Sequence, residues 1–167
     1  MSNLFKNFSK HIWLSVLLVL IIFGCATETN DVRPTQGLLN SCVLYALADA
    51  IEIQTGRSIS RDERLKAWNK TKHSDRGTTI YEAFSAAIKF GWLPKDSWLM
   101  AVTDLNNTKI SSLICDIGGH MVVLLSIKDG NVIYLDPRYI DPQSMSIKQM
   151  DRATKGFYWR IMVNQVL

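Results

Sequence analysis

The stretch RPTQGLLNSCVLYALADAIEIQTG, residues 33–56, decides the fold because it contains the most strongly periodic helix of the chain. Its apolar residues recur at helical spacing, which predicts a buried central helix over Cys42–Thr55. Asn40 or Ser41 can cap the start of this helix, and Gly56 can end it. The central helix is therefore expected to begin at a cysteine.

A cysteine at a helix start is in a favourable place for a nucleophile. The first turn of a helix carries unsatisfied N–H groups and the positive end of the helix dipole, and both stabilise the reactive thiolate. Two other interpretations of Cys42 stay open here: a buried structural thiol, or a disulfide with Cys115. Cys115 itself lies in the apolar segment SSLICDI and is most simply a buried, inert thiol.

The rest of the chain divides into helices followed by strands. Ser60 and Glu63 form a capping box that starts a helix over 61–70, and a third helix is expected over 79–90. Strands are predicted over 120–127, which is apolar enough to be buried on both faces, 131–136 and 156–164. Residues 105–117 fit a helix or a strand equally well. Helices first and an antiparallel sheet second make an α+β fold, with the nucleophile helix packed on the sheet.

Histidine is the natural partner of a nucleophilic thiol because its pKa lies near neutrality. His120 stands in IGGHMVV at the mouth of the predicted buried strand, where Gly118 and Gly119 allow a substrate backbone to approach closely. A core histidine satisfied by one hydrogen bond is the alternative. His73 stands in the polar segment KTKHSDRG and is expected to face solvent. His120 is therefore the candidate base.

A catalytic imidazole needs a third group that fixes its tautomer and orientation, and Asp136 ends the strand that follows His120. An Asp before a Pro is otherwise an ordinary strand terminator. A two-residue Asp129-Gly130 turn would place His120 and Asp136 on opposite faces of the sheet. A three-residue loop over 128–130 would pair position 122 with 136 and place both side chains on one face. We predict the three-residue loop, because Gly130 suits the left-handed conformation of its last residue.

Acyl transfer also needs hydrogen-bond donors aimed at the developing oxyanion. Gln36 lies in the polar loop before the central helix, where a glutamine is ordinarily only solvated. Its side-chain amide and the backbone N–H of Cys42 would supply two donors. Gln36 is therefore the candidate oxyanion-hole residue.

Three blocks of the sequence, in this order, resemble the papain-like cysteine peptidases. QGLLNSCVLYALADAIE (36–52) is similar to their nucleophile segment, in which Gln-Gly precedes Ser-Cys at the same spacing and a helix follows. RGTTIYEAFSAAIKFGWLPKDSW (76–98) is similar to a later stretch, and GGHMVVLLSIKDGNVIYLDP (118–137) to the histidine strand and the hairpin beyond it. The resemblance implies a papain-like peptidase domain over 36–167. Its catalytic residues would be Gln36, Cys42, His120 and Asp136.

The chain also departs from papain itself. The segment between Cys42 and His120 is short, which implies that substrate-binding loops are missing. The orienting residue is Asp where papain has Asn, and PRY (137–139) replaces the tryptophan-containing motif that normally follows. This last hairpin resembles the double-glycine-leader peptidases of the same clan, which use Cys, His and Asp.

The N-terminus predicts export. Two lysines precede an uncharged apolar stretch of 15 residues, Ile12 to Ala26, which is too short to span a bilayer as a helix. Its ending IFGC resembles a bacterial lipobox, so we expect a lipoprotein signal over 1–24, lipidation of Cys25, and a polar tether over 25–35. An uncleaved anchor or an ordinary signal peptide is the alternative. The expected location is the cell envelope, with the domain anchored to a membrane and facing the periplasm or the outside.

Charge and motifs exclude several classes of function. Two of the 19 basic residues lie in the expected signal, so the remainder is close to neutral and carries no basic run that would bind nucleic acid. The sequence has no metal-ligand spacing, phosphate loop or dinucleotide fingerprint, and we expect neither a metal nor a cofactor.

The sequence therefore predicts a membrane-tethered thiol hydrolase that cleaves a peptide or amide bond of a peptide or protein substrate through an acyl-enzyme. Two alternatives remain. One is a non-enzymatic binding or exclusion lipoprotein on the same fold, which a Cys42–Cys115 disulfide would favour. The other is an acyltransferase of the transglutaminase kind that uses the same triad.

Overall fold

The computed structural model describes residues 41–71, 77–105 and 109–163, which belong to one structural unit, residues 33–167. Within these residues the chain forms four helices: α1 (Cys42–Thr55), α2 (Arg61–Lys70), α3 (Ile80–Lys89) and α4 (Ile147–Thr154). The strands are β1 (Trp98–Val102), β2 (Ile114–Asp116), β3 (Met121–Lys128), β4 (Asn131–Leu135), β5 (Gln143–Ser146) and β6 (Tyr158–Met162). The predicted α+β fold class is confirmed.

The expectations for the N-terminus cannot be followed further in the structure. The signal, Cys25, the tether and Gln36 all lie outside the described residues. Among the helices of the described part, none combines the length and the apolar character needed to cross a membrane.

The three predicted helices begin and end within one residue of their predicted bounds. Ser60 caps α2 through a capping box with Glu63, and Thr79 caps α3 through the same arrangement with Glu82. Gly56 ends α1 in the left-handed conformation, with φ of 71°. The predicted bounds of α2 agree with the structure, and those of α3 differ by one residue at each end.

Helix α1 is the centre of the fold. Its first ten residues, 42–51, are all buried, because the helix contacts α2 and α3 as well as strands β2 and β3. A helix that is apolar nearly all round is typical of such a position. The nucleophile candidate at its start is thereby held on a rigid element.

The one acid in this buried stretch, Asp49, is balanced by Arg64 of α2, whose side chain is fully buried. Arg64 Nη1 donates to Asp49 Oδ1 at 2.7 Å, and Nε donates to the carbonyl oxygen of Ile59 at 2.9 Å. Arg64 Nη2 lies 2.8 Å from Glu52 Oε2, an ion pair whose angles fall outside hydrogen-bond geometry. These contacts fix α2 against α1, because removing either charge would leave the other uncompensated.

The six strands form one antiparallel sheet in the order β1-β6-β2-β3-β4-β5. The sheet separates two apolar clusters. Met121 and Val123 pack with α1, whereas Val122 and Leu124 pack with Met150 of α4 on the opposite face. The prediction of a strand buried on both faces is confirmed for Met121–Leu124, and the second half of β3 is largely exposed.

The turn between β3 and β4 differs from the prediction. Lys128 pairs with Asn131, so the connection is the two-residue Asp129-Gly130 turn and not a three-residue loop. Both turn residues have positive φ, 50° and 74°, as the tight turn that matches the strand twist requires. This turn alone would place His120 and Asp136 on opposite faces.

A β-bulge restores the shared face. Ser126 pairs with Ile133, but Leu124 pairs with Tyr134, so Leu125 is an extra residue in β3. One extra residue in one strand reverses the alternation of faces beyond it. Position 122 consequently lies opposite position 136, as predicted. The cause is a two-residue turn combined with a β-bulge and not a three-residue loop.

Three elements are missing from the sequence prediction: β1, β5 and α4. Each is short, and β1 is an edge strand paired to β6, about sixty residues further along the chain. Residues 105–117, ambiguous in the sequence, contain β2. Long-range pairing decided β1, whereas β5 pairs with the neighbouring strand β4 and α4 begins at a capping box formed by Ser146 and Gln149.

Candidate active site

Cys42 is the first residue of α1, and its thiol receives backbone N–H groups. The N–H groups of Val43 and Met121 both donate to it. Ser41 occupies the N-cap position but makes no capping bond with its side chain, so the N–H of Val43 remains available to the sulfur. The Cys42 thiol therefore accepts an N–H group of the first helical turn that the Ser41 side chain would otherwise cap.

The turn between β2 and β3 places His120. Asp116 Oδ1 accepts hydrogen bonds from the N–H groups of Gly119 at 2.5 Å and His120 at 3.1 Å. Gly118 and Gly119 have φ of 78° and 90°, which side chains strongly disfavour. The sequence suggested that the two glycines allow a substrate to approach closely. The structure gives them a further role, since they let the chain reverse direction directly before His120.

Asp136 follows β4 and faces His120. The distance between His120 Nε2 and Asp136 Oδ1 is 2.7 Å, and only 2% of the Asp136 side chain is exposed. Because Nε2 faces the carboxylate, Nδ1 is the ring nitrogen left for the side-chain hydrogen bond between His120 and Cys42. The three side chains form one chain of contacts from sulfur to carboxylate.

Arg138 is a fourth member of this cluster that the sequence analysis did not identify. Its backbone N–H and its Nε donate to Asp136 Oδ1 at 2.9 and 3.1 Å. Its Nη2 donates to Asp136 Oδ2 at 2.7 Å, and Nε lies 3.2 Å from the same oxygen. The segment PRY (137–139), where the chain departs from papain, is the sequence feature that could have revealed Arg138, since it places an arginine two residues after the orienting acid.

The electrostatics of the cluster favour a thiolate beside an imidazolium. Burial acts to raise the pKa of the Cys42 thiol, but the hydrogen bonds from His120 and the Met121 N–H outweigh it, so this pKa is lowered. The hydrogen bond with Cys42 raises the pKa of His120 against the effect of its burial, and Asp136 adds to the rise. Both shifts increase the fraction of the ion pair near neutral pH.

Arg138 keeps the carboxylate ionised. Burial acts to raise the pKa of Asp136, but the hydrogen bonds from Arg138 and His120 lower it to about 2. Asp136 therefore carries a full negative charge over the whole pH range in which a thiol and an imidazole titrate.

A cleft of about 300 Å³ opens beside the thiol. Its described walls come from the start of α1, the segment before α3, the β2–β3 turn and β6. The lining residues are Cys42, Val43, Gly77, Thr78, Thr79, Ile80, Asp116, Gly119, Met121 and Trp159. Cys42 thus combines a lowered pKa with access to a space that can hold part of a peptide.

Cys115 lies on the other side of the sheet from Cys42. It packs against Met150 of α4, and burial raises the pKa of its thiol to about 12. Both cysteines are free thiols. The disulfide that was left open in the sequence analysis is not formed, and Cys115 is the unreactive thiol expected from its apolar segment.

Two predicted positions fall outside the described residues: Gln36, the candidate oxyanion donor, and His73, the histidine expected to face solvent. Cys42, His120 and Asp136 are brought together. Among the described residues, no group of three or more His, Cys, Asp or Glu side chains is arranged to hold a metal ion. The chemistry that this arrangement can perform is nucleophilic attack by sulfur with proton transfer by the imidazole.

The comparisons with known proteins bear on the fold. No family model and no curated protein sequence matches the chain. It is similar to the solved structure of a double glycine motif protease from an AMS/PCAT transporter, in complex with the leader peptide. The TM-score is 0.57 at 15% identity, over 79% of this chain and 94% of that chain.

A second similar structure is the peptidase domain of Streptococcus ComA, a bifunctional ABC transporter involved in a quorum sensing pathway. Here the TM-score is 0.60 at 18% identity, over 78% of this chain and 96% of that chain. At such identities the likeness establishes the fold alone. The chain therefore has the papain-like α+β fold of the double-glycine peptidase domains.

Proposed function

We propose that the chain is a thiol peptidase with Cys42 as nucleophile, His120 as general base and acid, and Asp136 as the residue that orients the imidazole. The observation that carries the proposal is the continuous hydrogen-bonded path from the Cys42 thiol through His120 to Asp136, with the 2.7 Å contact at its second step. A buried, unreactive cysteine such as Cys115 has no such path.

In the first half of the reaction, the Cys42 thiolate attacks the carbonyl carbon of the scissile amide and a C–S bond forms. The negative charge on the former carbonyl oxygen faces the N–H of Cys42 at the start of α1, and the Gln36 side chain is proposed as the second donor. His120 then donates its Nδ1 proton to the leaving nitrogen, the C–N bond breaks, and an acyl-enzyme remains.

In the second half, water replaces the departed amine. His120, now neutral, takes a proton from this water as it attacks the thioester carbon. The C–S bond breaks, the acid product leaves, and the thiolate–imidazolium pair is restored. Asp136 holds the ring in place through both proton transfers, because its carboxylate is fixed by Arg138.

We propose a peptide as the substrate. The cleft beside Cys42 is bordered by the glycines Gly77 and Gly119, which leaves its walls without side chains at two points. One similar structure is a protease for a double glycine motif in complex with its leader peptide. A peptide with small residues next to the scissile bond is the substrate class that fits both observations.

The alternative of a non-enzymatic binding module loses its main support. A disulfide between the two domain cysteines would have favoured that alternative, and both are free thiols whose side chains pack in different apolar clusters. A lowered pKa at Cys42 has no role in a module that only binds.

The test is thiol labelling followed by peptide cleavage. The full-length protein, reduced and treated with an iodoacetamide probe at pH 6.5, is expected to be labelled at Cys42 and not at Cys115. Cys42→Ala removes the label that peptide mapping finds within residues 36–167 and abolishes cleavage of a peptide library, and Cys115→Ala is the matched control that keeps both. Equal labelling of the two thiols, or cleavage that survives Cys42→Ala, contradicts the proposal.

We also propose that the peptidase is exported and tethered to a membrane by lipid on Cys25. The support is the sequence pattern of basic residues, a short apolar stretch and IFGC. Mass spectrometry of the mature protein tests this: a lipidated N-terminal Cys25 supports the tether, and an unmodified N-terminus at another residue contradicts it.

A further inference from the structure

Apart from Cys42 itself, the cleft is lined by one charged side chain within the part of the chain that the structure describes. That side chain is the carboxylate of Asp116. The remaining side chains of the walls are apolar or carry hydroxyl groups, as in Val43, Thr78, Thr79, Ile80, Met121 and Trp159. A single acid in a partly enclosed cleft attracts positive charge there more strongly than it would on an open surface.

Asp116 is held in a fixed orientation with one oxygen to spare. Its Oδ1 accepts the two backbone hydrogen bonds of the β2–β3 turn, from Gly119 and His120. Its Oδ2 makes no hydrogen bond or ion pair with any described residue, and the side chain is exposed. The turn therefore orders the carboxylate in advance and leaves an acceptor for a ligand.

A second polar group of the same cleft lacks a partner. The hydroxyl of Thr78 makes no hydrogen bond to any described residue, although the residue is only 6% exposed. A buried hydroxyl without a partner is energetically unfavourable. A bound group that has several N–H donors would relieve this cost as well as neutralise Asp116.

The catalytic groups do not cancel the charge of Asp116. The thiolate of Cys42 and the imidazolium of His120 together are neutral. The guanidinium of Arg138 is bound to the carboxylate of Asp136 and compensates it. Among the residues that the structure describes, Asp116 consequently sets the sign of the potential in the cleft.

We propose that Asp116 is a specificity-determining residue that binds a cationic side chain, lysine or arginine, of a substrate residue that lies beyond the small residues next to the scissile bond and reaches into this cleft. This inference rests on the proposed peptidase function, because it assumes a peptide substrate. The preference for positive charge depends only on the residues of the cleft. Asp116 acts on substrate binding and takes no part in proton transfer.

The experiment uses the full-length protein and peptides in which one lysine is moved through the positions around the cleaved bond, each paired with a norleucine peptide. At one position the lysine peptide is expected to have the higher kcat/KM, by about fivefold, the upper range for a solvent-accessible ion pair. Asp116→Asn keeps an oxygen for the turn N–H groups and should reduce this ratio to about one. Asp129→Asn, at the far end of β3, removes the same charge and should leave the ratio unchanged.

Three results would overturn the proposal: no position with a lysine preference, a preference that survives Asp116→Asn, or loss of cleavage of both peptides in that variant. The last result would make Asp116 a structural residue of the turn. In the wild type, 0.5 M salt should also lower the ratio, because the ion pair is screened.

A second measurement separates this proposal from the peptidase proposal. Cys42 is modified with a cationic and with a neutral methanethiosulfonate reagent, each of which forms a disulfide with the thiol and releases sulfinate. The ratio of the two rates should fall about fivefold in Asp116→Asn and stay constant in Asp129→Asn. If no peptide is cleaved but this ratio falls, the peptidase proposal fails and the cation site stands. If the ratio of the two modification rates does not fall in Asp116→Asn, the cation site is refuted.

Discussion

Arg138→Ala tests how the cluster at Asp136 works. The carboxylate of Asp136 is buried, and Arg138 is the partner of its Oδ2 while His120 and Arg138 share Oδ1. The pKa of Asp136 is about 2 against an ordinary value of 3.8, so its contacts outweigh its burial. At 1.36 kcal/mol per pKa unit, this excess is about 2 kcal/mol, and Arg138 is its largest contributor.

Removing Arg138 leaves burial opposed by His120 alone, so the pKa of Asp136 rises. A carboxylate that protonates at higher pH stops holding the imidazole, and the acid limb of kcat/KM moves to higher pH. The loss of the Arg138 charge near Cys42 also raises the pKa of the thiol, which moves the acid limb in the same direction. If the whole excess of about 2 kcal/mol acted on the transition state, kcat/KM would drop about thirtyfold, so we expect a drop of up to this size.

The assay is the pH profile of peptide cleavage, with iodoacetamide modification of Cys42 over the same range as a measure of thiolate. Arg138→Lys keeps the charge but not the two-pronged contact and should fall between the wild type and Arg138→Ala. Arg152→Ala, an exposed arginine at the end of α4, is the matched control. If Arg138→Ala keeps the rate of the control and an unshifted acid limb, the positioning role of Arg138 is wrong.

Three further predictions concern stability and the cleft. The folded-state pKa of Asp136 is depressed, so ionised Asp136 stabilises the fold above about pH 4, and this contribution is lost as the pH falls towards 2. In urea unfolding, the difference in free energy of unfolding between wild type and Asp136→Asn should therefore shrink by about 2 kcal/mol over that range. A constant difference would contradict this. Arg64→Ala should lower the free energy of unfolding by about 3–5 kcal/mol because the buried Asp49 carboxylate loses its ion pair with Arg64, whereas exposed Arg61→Ala should change it by less than about 0.5 kcal/mol. Gly119→Ala and Gly130→Ala introduce similar strain at positive φ with nothing within 4 Å of the new Cβ, so both should lose about 1 kcal/mol of stability. Only Gly119→Ala should also lower kcat/KM strongly, because its Cβ enters the cleft; equal activity of the two variants would place the substrate elsewhere.

Local sequence signals located the elements that carry the candidate site. The apolar periodicity after Cys42 marked α1, the capping box at Ser60 marked the start of α2, and the apolar run after His120 marked the central strand. These signals are short-range: a side chain and a backbone N–H three residues apart settle a cap with no help from the rest of the fold. The edge strand β1 carries a weaker local signal, and its pairing partner β6 lies about sixty residues further along the chain. Helix α4 starts at a capping box of Ser146 with Gln149, a local signal that the sequence analysis missed.

The relation between His120 and Asp136 shows the limit of local argument. The tight Asp-Gly turn is favoured by its own dihedral angles and, taken alone, separates the two side chains. The bulge at Leu125 brings them to one face, and nothing in the run MVVLLSIK marks which residue will bulge. A bulge is selected by packing on both faces of the sheet, which is a property of the assembled core.

The sequence by itself determined that a thiol begins a buried helix, that a histidine begins a buried strand, and that the chain is α+β, because periodicity, caps and turn residues act over a few positions. Only the tertiary structure decided that Arg138 clamps Asp136, that Cys115 lies across the sheet from Cys42, and that Asp116 faces the cleft. Hydrogen bonds and charges depend on distances between residues remote in sequence, and those distances exist only once the sheet has closed on α1.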